Sequence, residues 1–290
     1  MLWISITLAA TGLQVARNAL QRGLLASAGP WGASLVRFLF GLPFSLLFAS
    51  VAWFVSPAAQ LHFSVGFLIA CAIGGTAQLL ATAAMLVSMR RSSFALGTVF
   101  QQSGIPLAAT FALVLGEQLG GLKWIGLTLA TAGLMWLGWP RGRDKDWSAA
   151  SLGLLAGAGF ALAGNAFRQA SIGLVHLEPV LAAQITVFFV QAMQSAALVV
   201  WMGVTDRRAL CVAVTSWRSS IPAGFFGAAA SGLWFTAFAM APVGLVRAVG
   251  VSEMPIAALA GRRLFREQLS VWQIIAAAIT AIGVGLAALG

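Results

Sequence analysis

Charge is the feature that this sequence has least of. Only 8% of its residues are charged and only seven are Asp or Glu, whereas 60% are hydrophobic and the mean hydropathy is +0.93. A soluble domain carries about a quarter charged residues. The composition therefore excludes a soluble enzyme or binding domain and predicts an all-α integral membrane protein.

Cysteine and histidine are also scarce, with two residues of each. Cys71 lies in an apolar run and Cys211 near a loop, so they form neither a disulfide framework nor a metal-ligand spacing. His62 and His176 stand alone near loops, and the sequence shows no His-rich cluster, no paired-acid metal motif and no Ser-His pair. We expect no metal and no other cofactor, and these absences argue against an intramembrane enzyme.

Ten apolar segments follow one another along the chain, each near the twenty residues that cross about 30 Å of hydrocarbon. We refer to them as predicted helices 1 to 10. They lie at about 2–22, 31–55, 63–87, 94–115, 122–139, 149–170, 179–202, 221–240, 244–262 and 271–289. Every backbone amide at membrane depth must be satisfied within its own segment, and segments of this length do that only as helices.

Much of the second half repeats the first at a nearly constant offset. Residues 103–106 in predicted helix 4 and 252–255 in predicted helix 9 both read Ser-x-x-Pro, 149 residues apart. Each is followed by Glu-Gln-Leu, which begins at Glu117 and again at Glu267, 150 residues later. A drift of one residue over so long a repeat indicates two equivalent halves.

The odd number of helices per half implies that the second half enters the membrane from the opposite side. Asn18 in predicted helix 1 also matches Asn165 in predicted helix 6, 147 residues later. The prediction is ten transmembrane helices as two inverted five-helix repeats, 1–140 and 148–290, joined by a polar linker at 141–147. This architecture is typical of secondary transporters, whose site lies between the repeats near the midplane.

The cations are scattered in short loops, although the net charge is +10. Thirteen of the seventeen Lys and Arg lie near the loops after predicted helices 1, 3, 5, 7 and 9. The positive-inside rule makes those loops cytoplasmic and both termini external. We expect a multi-pass protein of a bacterial cell inner membrane, whose cations face lipid headgroups and bind no nucleic acid.

These features together resemble the drug/metabolite transporter (DMT) superfamily, and within it the EamA-type permeases. The resemblance covers nearly the whole chain and is strongest in LGEQLGGLKWIGLTLATAGLMWL, in REQLSVWQIIAAAITAIGVGLAAL, and at Arg37 in ASLVRFLFGLP. It implies an exporter of amino acids or other small metabolites, while some relatives move drugs, nucleotide sugars or sugar phosphates.

Two stretches depart from the pattern of that family. Members usually have a basic loop after helix 2 and internal termini, but SPAAQLH at 56–62 carries no Lys or Arg. The orientation that the charges predict is therefore opposite to that of the family. Many members also begin helix 1 with Trp-Gly at mid-depth, where this chain has Thr11 and Gly12, and the substrate preference stays open.

Glu253 is the only carboxylate near the middle of a predicted span. Burial disfavours its charged form, so such a group can load and release a proton, as proton-coupled antiport requires. Pro255 lacks the amide that would pair with the Val251 carbonyl, which predicts a kink in helix 9 beside Glu253. The alternative is a structural ion pair with a neighbouring arginine, but Arg247, six residues away, is off the i+3 and i+4 spacing of a regular helix.

Predicted helix 4 offers amides at the corresponding depth. Gln101 and Gln102 precede Gly104, the counterpart of Glu253, and Pro106 predicts a second helix kink. If the two helices are neighbours, an acid faces amides and open backbone, a lining that suits a zwitterion. Ordinary interhelical hydrogen bonding is the alternative for both glutamines.

Other polar or aromatic side chains at membrane depth are candidates for the substrate path. Amides can instead join helices, arginines near helix ends can snorkel to headgroups, and aromatic rings can face lipid. The candidates are Ser252, Asn18, Asn165, Gln78 and Trp234, with Phe235 beside it. The glutamines of predicted helix 7, at 184, 191 and 194, share one face, which favours interhelical contacts.

The sequence thus predicts a secondary transporter that exports a small metabolite such as an amino acid by alternating access, against protons. Its partners would be a small-molecule substrate, protons and membrane lipids, and it would act as a monomer or homodimer. A multidrug or cationic compound exporter is the alternative, followed by an intramembrane enzyme on lipid-linked substrates. A passive channel is disfavoured because no filter motif is visible.

Overall fold

The computed structural model describes residues 2–56, 60–104, 120–138, 147–174 and 176–289. Within these ranges the regular structure is entirely α-helical. The helices are α1 (Leu2–Leu39), α2 (Leu42–Val55), α3 (Val65–Arg91), α4 (Phe94–Gln101), α5 (Gly121–Gly138), α6 (Trp147–Gly173), α7 (Pro179–Thr205), α8 (Arg207–Thr215), α9 (Trp217–Met240), α10 (Val243–Gly250), α11 (Glu253–Phe265) and α12 (Val271–Leu289).

Six helical stretches in the described ranges are long and apolar enough to cross a membrane. They are Leu2–Val55, Val65–Arg91, Trp147–Gly173, Pro179–Thr205, Ser220–Met240 and Val243–Phe265. A shorter apolar helix covers Val271–Leu286. These helices are consistent with an integral multi-pass membrane protein, while the count of ten crossings and the inverted repeat stay predictions.

The chain bends between predicted helices 1 and 2 without an intervening loop. Helical structure runs through α1 except at Gly29, whose φ of 65° and ψ of 178° suit glycine alone. Pro30 follows, where a missing amide costs little at the start of a new helical segment. Gln21 Nε2 donates to the Ala33 carbonyl at 2.9 Å, which ties the two sides of the bend together.

Predicted helix 2 is divided as well. Its first part belongs to α1, and α2 begins after a turn at Gly41, with Pro43 in its first turn. Proline cannot donate a hydrogen bond to the Leu39 carbonyl, so a continuous helix loses a rung at this point. The prediction of a single continuous helix at 31–55 is therefore wrong, because the helix is divided between Leu39 and Leu42.

The short helix α8 was absent from the predicted helices. Asp206 begins it as an N-cap, since its side chain accepts a hydrogen bond from the Ala209 amide at 2.9 Å. Arg207 and Arg208 are exposed while Ala213 is buried, so the helix is amphipathic. The same arginines make this stretch too polar to be predicted as a span.

The chain divides into two compact units. Unit 1 comprises Met1–Leu79 and Leu162–Val246, and unit 2 comprises Leu80–Ala161 and Arg247–Gly290. Each unit takes residues from both predicted halves, and the stretch Leu80–Ala161 of unit 2 runs through the predicted linker, so the division of the chain at 141–147 stays a prediction. Of that linker, residues 141–146 lie outside the described ranges.

Unit 1 has a core of apolar side chains crossed by a few interhelical amide contacts. The rings of Phe167 and Phe235 stack with centroids 4.1 Å apart. Gln194 Nε2 donates to the Gly75 carbonyl at 2.8 Å and to Gln78 Oε1 at 2.9 Å, which joins α7 to α3. Amides thus connect helices here, as the shared face of the helix 7 glutamines predicts.

Unit 2 is held together by close approaches of helix backbones. A Cβ added at Gly133 on α5 would lie 2.8 Å from the Thr280 amide nitrogen on α12. One added at Gly283 on α12 would lie 2.7 Å from the Gly126 carbonyl oxygen on α5. Glycines at both points let the two backbones touch, which is the usual device for packing helices in a membrane.

Candidate functional site

Helix α4 stops just before its Ser-x-x-Pro sequence. It begins with Ser93 as N-cap, whose hydroxyl accepts a hydrogen bond from the Leu96 amide at 3.1 Å. It ends at Gln101, after which the amides of Gln102 and Ser103 donate to carbonyls three residues back, at 3.0 and 3.1 Å. This tighter turn interrupts the α-helical hydrogen-bond pattern.

The second Ser-x-x-Pro sequence has the same interruption 149 residues later. Between α10 and α11, the amides of Val251 and Ser252 donate to the carbonyls of Ala248 and Val249 at 3.2 and 3.1 Å. These four residues are the counterparts of Gln102, Ser103, Val99 and Phe100. Both copies of the motif therefore break their helix at the same place and with the same hydrogen bonds.

The break beside Glu253 differs in one respect from the expectation. The Val251 carbonyl accepts a hydrogen bond from the Met254 amide at 2.9 Å, so it is not left open by Pro255 as predicted. The turn compensates for the missing proline amide with a donor one residue earlier. The corresponding proline of the first copy, Pro106, lies outside the described residues.

The interrupted end of α4 lies directly against α6 at Gly157. A Cβ added to Gly157 would lie 2.8 Å from the Gln101 carbonyl oxygen and 2.9 Å from the Gly104 nitrogen. Ser103 donates its hydroxyl to the Leu154 carbonyl of α6 at 3.3 Å. A larger residue at position 157 would displace the broken segment, so the position of the amides of Gln101 and Gln102 depends on this glycine.

Glu253 and Gln102 meet inside unit 2. Gln102 Nε2 donates to a carboxylate oxygen of Glu253 at 3.4 Å. Both side chains are buried, and so is Gln101, with exposed fractions of 1%, 4% and 3% respectively. This contact brings predicted helices 4 and 9 together and places an acid against an amide at two matching helix breaks.

Arg247 adds a second charge to this region. Its Nη2 donates to the Phe160 carbonyl at 3.0 Å, and the charge of Glu253 acts on it electrostatically. The argument against an intrahelical salt bridge assumed a regular helix between the two residues. The chain breaks at Val251 and Ser252, so that assumption does not hold here.

Asn18 and Asn165 lie in unit 1, in unlike environments. Asn18 is fully buried, and its Oδ1 accepts hydrogen bonds from Arg17 Nε at 3.1 Å and Nη2 at 2.6 Å. Arg17 is only 2% exposed, so it does not snorkel to the headgroups as expected for an arginine near a helix end. Asn165, its partner in the repeat, is exposed.

The remaining predicted residues also belong to unit 1. Trp234 is buried and packs against Phe238, with ring centroids 5.6 Å apart, while Phe235 is buried against Phe167, so neither ring faces lipid. Arg37 is buried and donates to the Ser231 hydroxyl at 3.3 Å. These contacts give each side chain a structural role within its own unit.

Gln191 departs from the interhelical role predicted for the glutamines of α7. It is buried, yet neither atom of its amide group has a hydrogen-bond partner among the described residues. It lies beside the turn between α1 and α2, because a Cβ at Gly41 would be 3.1 Å from Gln191 Oε1. The other two glutamines of α7 do connect helices. Gln184 Nε2 donates to the Thr236 hydroxyl at 3.4 Å, and Gln194 Nε2 donates to the Gly75 carbonyl.

Glu267 has a structural role that sequence reasoning missed. Its carboxylate accepts hydrogen bonds from the Phe94 amide at 2.8 and 3.0 Å and from the Ala95 amide at 3.4 Å. It therefore caps the N-terminus of α4 from a position 173 residues away in the chain. The repetition of Glu-Gln-Leu was the available signal, but a sequence pattern does not name the amides that a carboxylate will meet.

The backbone around Glu267 is shaped to deliver this carboxylate. Arg266 has a left-handed conformation, with φ of 54°, and ends α11. The Glu267 amide then donates to the Gly261 carbonyl at 3.1 Å, which fixes Glu267 against the end of α11. Among the described residues, no group of three or more His, Cys, Asp or Glu could hold a metal ion.

Comparison with known proteins shows the fold and leaves the family undetermined. No family model and no curated protein matches the sequence. One solved crystal structure of a protein is similar over 99% of this chain and 96% of that chain, with 16% sequence identity and a TM-score of 0.59. At that identity the likeness is one of fold alone: this helical arrangement has a counterpart among experimentally determined structures.

Proposed function

We propose that the protein is a secondary transporter, in which Glu253 and the two helix breaks beside it form part of the substrate and proton site. The observation that carries this proposal is the meeting of Glu253 with Gln102, each at the interruption of a helix, inside unit 2. Interrupted helices at membrane depth are the usual means by which secondary transporters bind polar substrates and coupling ions.

This arrangement is energetically costly in a membrane. A carboxylate at the bilayer centre costs several kcal/mol, and backbone outside a regular helix is tolerated there only against protein or a water-filled cavity. The chain places both features at one point beside Glu253, and the helix break itself occurs twice, at the same motif. A purely structural helix contact needs neither, so the arrangement favours a binding role.

Glu253 is proposed as the coupling acid. Burial and the nearby cation Arg247 act on the charge of its carboxyl group in opposite senses. A substrate ammonium group that approached Glu253 would change this balance and displace a proton. The site would then load either a proton or a cationic group, which is the requirement for exchange transport.

The substrate is proposed to be a small metabolite with an ammonium group, such as a neutral amino acid. The ammonium would bind the carboxylate of Glu253, and the amides of Gln101 and Gln102 would bind polar substrate atoms. The resemblance to EamA-type permeases supports export, and the distribution of cations supports cytoplasmic loops after predicted helices 1, 3, 5, 7 and 9.

Counterflow tests this proposal directly. Proteoliposomes loaded with unlabelled neutral amino acid should accumulate the labelled compound transiently when they contain the protein, and protein-free liposomes should not. Glu178→Gln is a control for the replacement of an acid outside the proposed site, because Glu178 is exposed at the N-terminus of α7. Exchange should be unchanged in that variant.

One outcome would change the proposed substrate, and another would overturn the proposal. Counterflow of organic cations but not of amino acids would identify a cationic compound exporter, since a lone ammonium or quaternary group satisfies Glu253 as well. Absence of counterflow for both classes, with folded protein in the bilayer, would overturn the transporter proposal.

A further inference from the structure

A cavity of about 700 Å³ lies in unit 2 between α4, α11 and α12. Most of its wall is aliphatic and includes Leu96, Val99 and Met254. Leu259 and Ile274 also line it and are 52% and 54% exposed, so it opens as a groove on the surface of the unit. Its size falls in the range of about 300–1,000 Å³ that holds small organic ligands. We call it the α11–α12 groove.

The groove has nearly the depth of one membrane leaflet. Along α11 it extends from Pro255 to Arg262, which is about 10 Å at the helical rise of 1.5 Å per residue. Along α12 it extends from Gln273 to Ala281, about 12 Å by the same rise. Half of a hydrocarbon core of about 30 Å is about 15 Å. A hydrocarbon chain that lies in the groove would therefore reach from the interface to near the midplane.

The two ends of the groove differ in polarity. Arg262, Glu267, Gln268 and Gln273 line the end formed by the last turn of α11 and the first turn of α12. The opposite end is apolar apart from its backbone and includes Pro255. A ligand that fits both ends has a polar head and a long apolar tail.

The polar end favours an anionic head. The carboxylate of Glu267 accepts hydrogen bonds from the amides at the start of α4, whose helix dipole opposes its charge. Arg262 is exposed, and so are its neighbours Arg263 and Arg266. Of these three cations, Arg262 lines the mouth of the groove, where it complements a lipid phosphate.

We propose that the α11–α12 groove binds one anionic phospholipid, with its phosphate on Arg262 and one acyl chain along the aliphatic wall. The polar substrate of a transporter would not match these walls, because they offer few groups for hydrogen bonding. The proposal is independent of transport activity, since it rests on the shape and charge of this surface.

The test compares lipid binding to the purified, full-length protein in dodecyl maltoside. Native mass spectrometry would measure binding of dioleoyl phosphatidylglycerol and of dioleoyl phosphatidylcholine. The wild type should bind the anionic lipid more tightly, and Arg262→Gln should weaken that binding by about fivefold, as expected for one cation near a lipid surface. Arg263→Gln is the matched control, since Arg263 is equally cationic and exposed but does not line the groove.

A second pair of variants tests the acyl-chain position. Ala278→Phe places a ring in the groove from an exposed position, so it should reduce binding of both lipids without disturbing the core. Ile275→Phe, on the same helix and exposed but outside the groove, should leave binding unchanged. Equal affinity for the two lipids in the wild type, equal losses in the two arginine variants, or full binding by Ala278→Phe would overturn the proposal.

Discussion

Replacement of Glu267 tests whether one carboxylate fixes the start of α4. In the wild type the carboxylate accepts hydrogen bonds from the amides of Phe94 and Ala95, and Ser93 accepts one from Leu96. Glu267→Ala removes the acceptor for two amides at once. Glu267→Gln keeps one carbonyl oxygen as an acceptor, removes the charge and replaces the second acceptor oxygen with an NH2 group.

The structure sets the expected magnitudes. Leaving buried donors without an acceptor costs about 1–3 kcal/mol each, and Phe94 is fully buried while Glu267 is half-buried. We therefore expect Glu267→Ala to lower the free energy of unfolding by about 2–4 kcal/mol. Glu267→Gln should cost about 1 kcal/mol, the usual value of a charge at a helix N-terminus. Ser93→Ala, the loss of a local N-cap, should also cost about 1 kcal/mol.

The assay is unfolding in mixed dodecyl maltoside and dodecyl sulfate micelles, followed by tryptophan fluorescence. Gly261→Ala is an independent probe, because its Cβ would lie 2.7 Å from a Glu267 carboxylate oxygen and displace it. Gly12→Ala, with no atom within 4 Å of the added Cβ, is its control. If Glu267→Ala proves as stable as the wild type, or if Gly261→Ala remains equally destabilising in a Glu267→Ala background, the capping argument fails.

Three further substitutions test other contacts of the structure. Gly157→Ala should lower the unfolding free energy by about 1–3 kcal/mol through overpacking, whereas Gly173→Ala, with open space around it, should not; equal effects in the same micelle assay would contradict this. Arg247→Gln and Glu253→Gln together should destabilise less than the sum of the single changes, because each leaves the other charge uncompensated; additivity would show that they do not interact. Asp206→Ala should remove the N-cap of α8 at a cost of about 1 kcal/mol, seen as faster amide hydrogen exchange confined to that helix.

The repeat was the most informative part of the sequence. Ser-x-x-Pro occurs twice, and proline chemistry predicts that each helix bends there. The structure shows helix breaks at Gln102 and Ser103 and at Val251 and Ser252, with matching hydrogen bonds. Local backbone chemistry is sufficient to locate such a break, because the missing amide acts within four residues of the proline.

Contacts that depend on distant residues could not be predicted in the same way. The cap of α4 by Glu267 joins residues 173 positions apart, and the hydrogen bond from Arg247 to the Phe160 carbonyl joins residues 87 positions apart. The bend at Gly29 required a positive φ that a glycine permits but does not demand. Hydropathy locates apolar segments, whereas these details depend on which surfaces meet after folding.

Residues at equivalent positions of the repeat also differ in their surroundings in the structure. Asn18 and Asn165 occupy matching positions in the sequence, yet the first is buried against Arg17 and the second is exposed. Glu253 matches Gly104, so the acid is present in one copy alone. A duplicated sequence therefore predicts a duplicated backbone more reliably than a duplicated site.

The most direct test of the proposed role of Glu253 is proton movement driven by substrate. Proteoliposomes that contain a pH-sensitive dye would receive an inward gradient of an amino acid that shows counterflow, for the wild type and for Glu253→Gln. The account predicts that substrate entry drives protons out of the wild-type vesicles, and that any substrate exchange by the variant moves no protons. Equal proton movement by both proteins would contradict the assignment of Glu253 as the coupling acid.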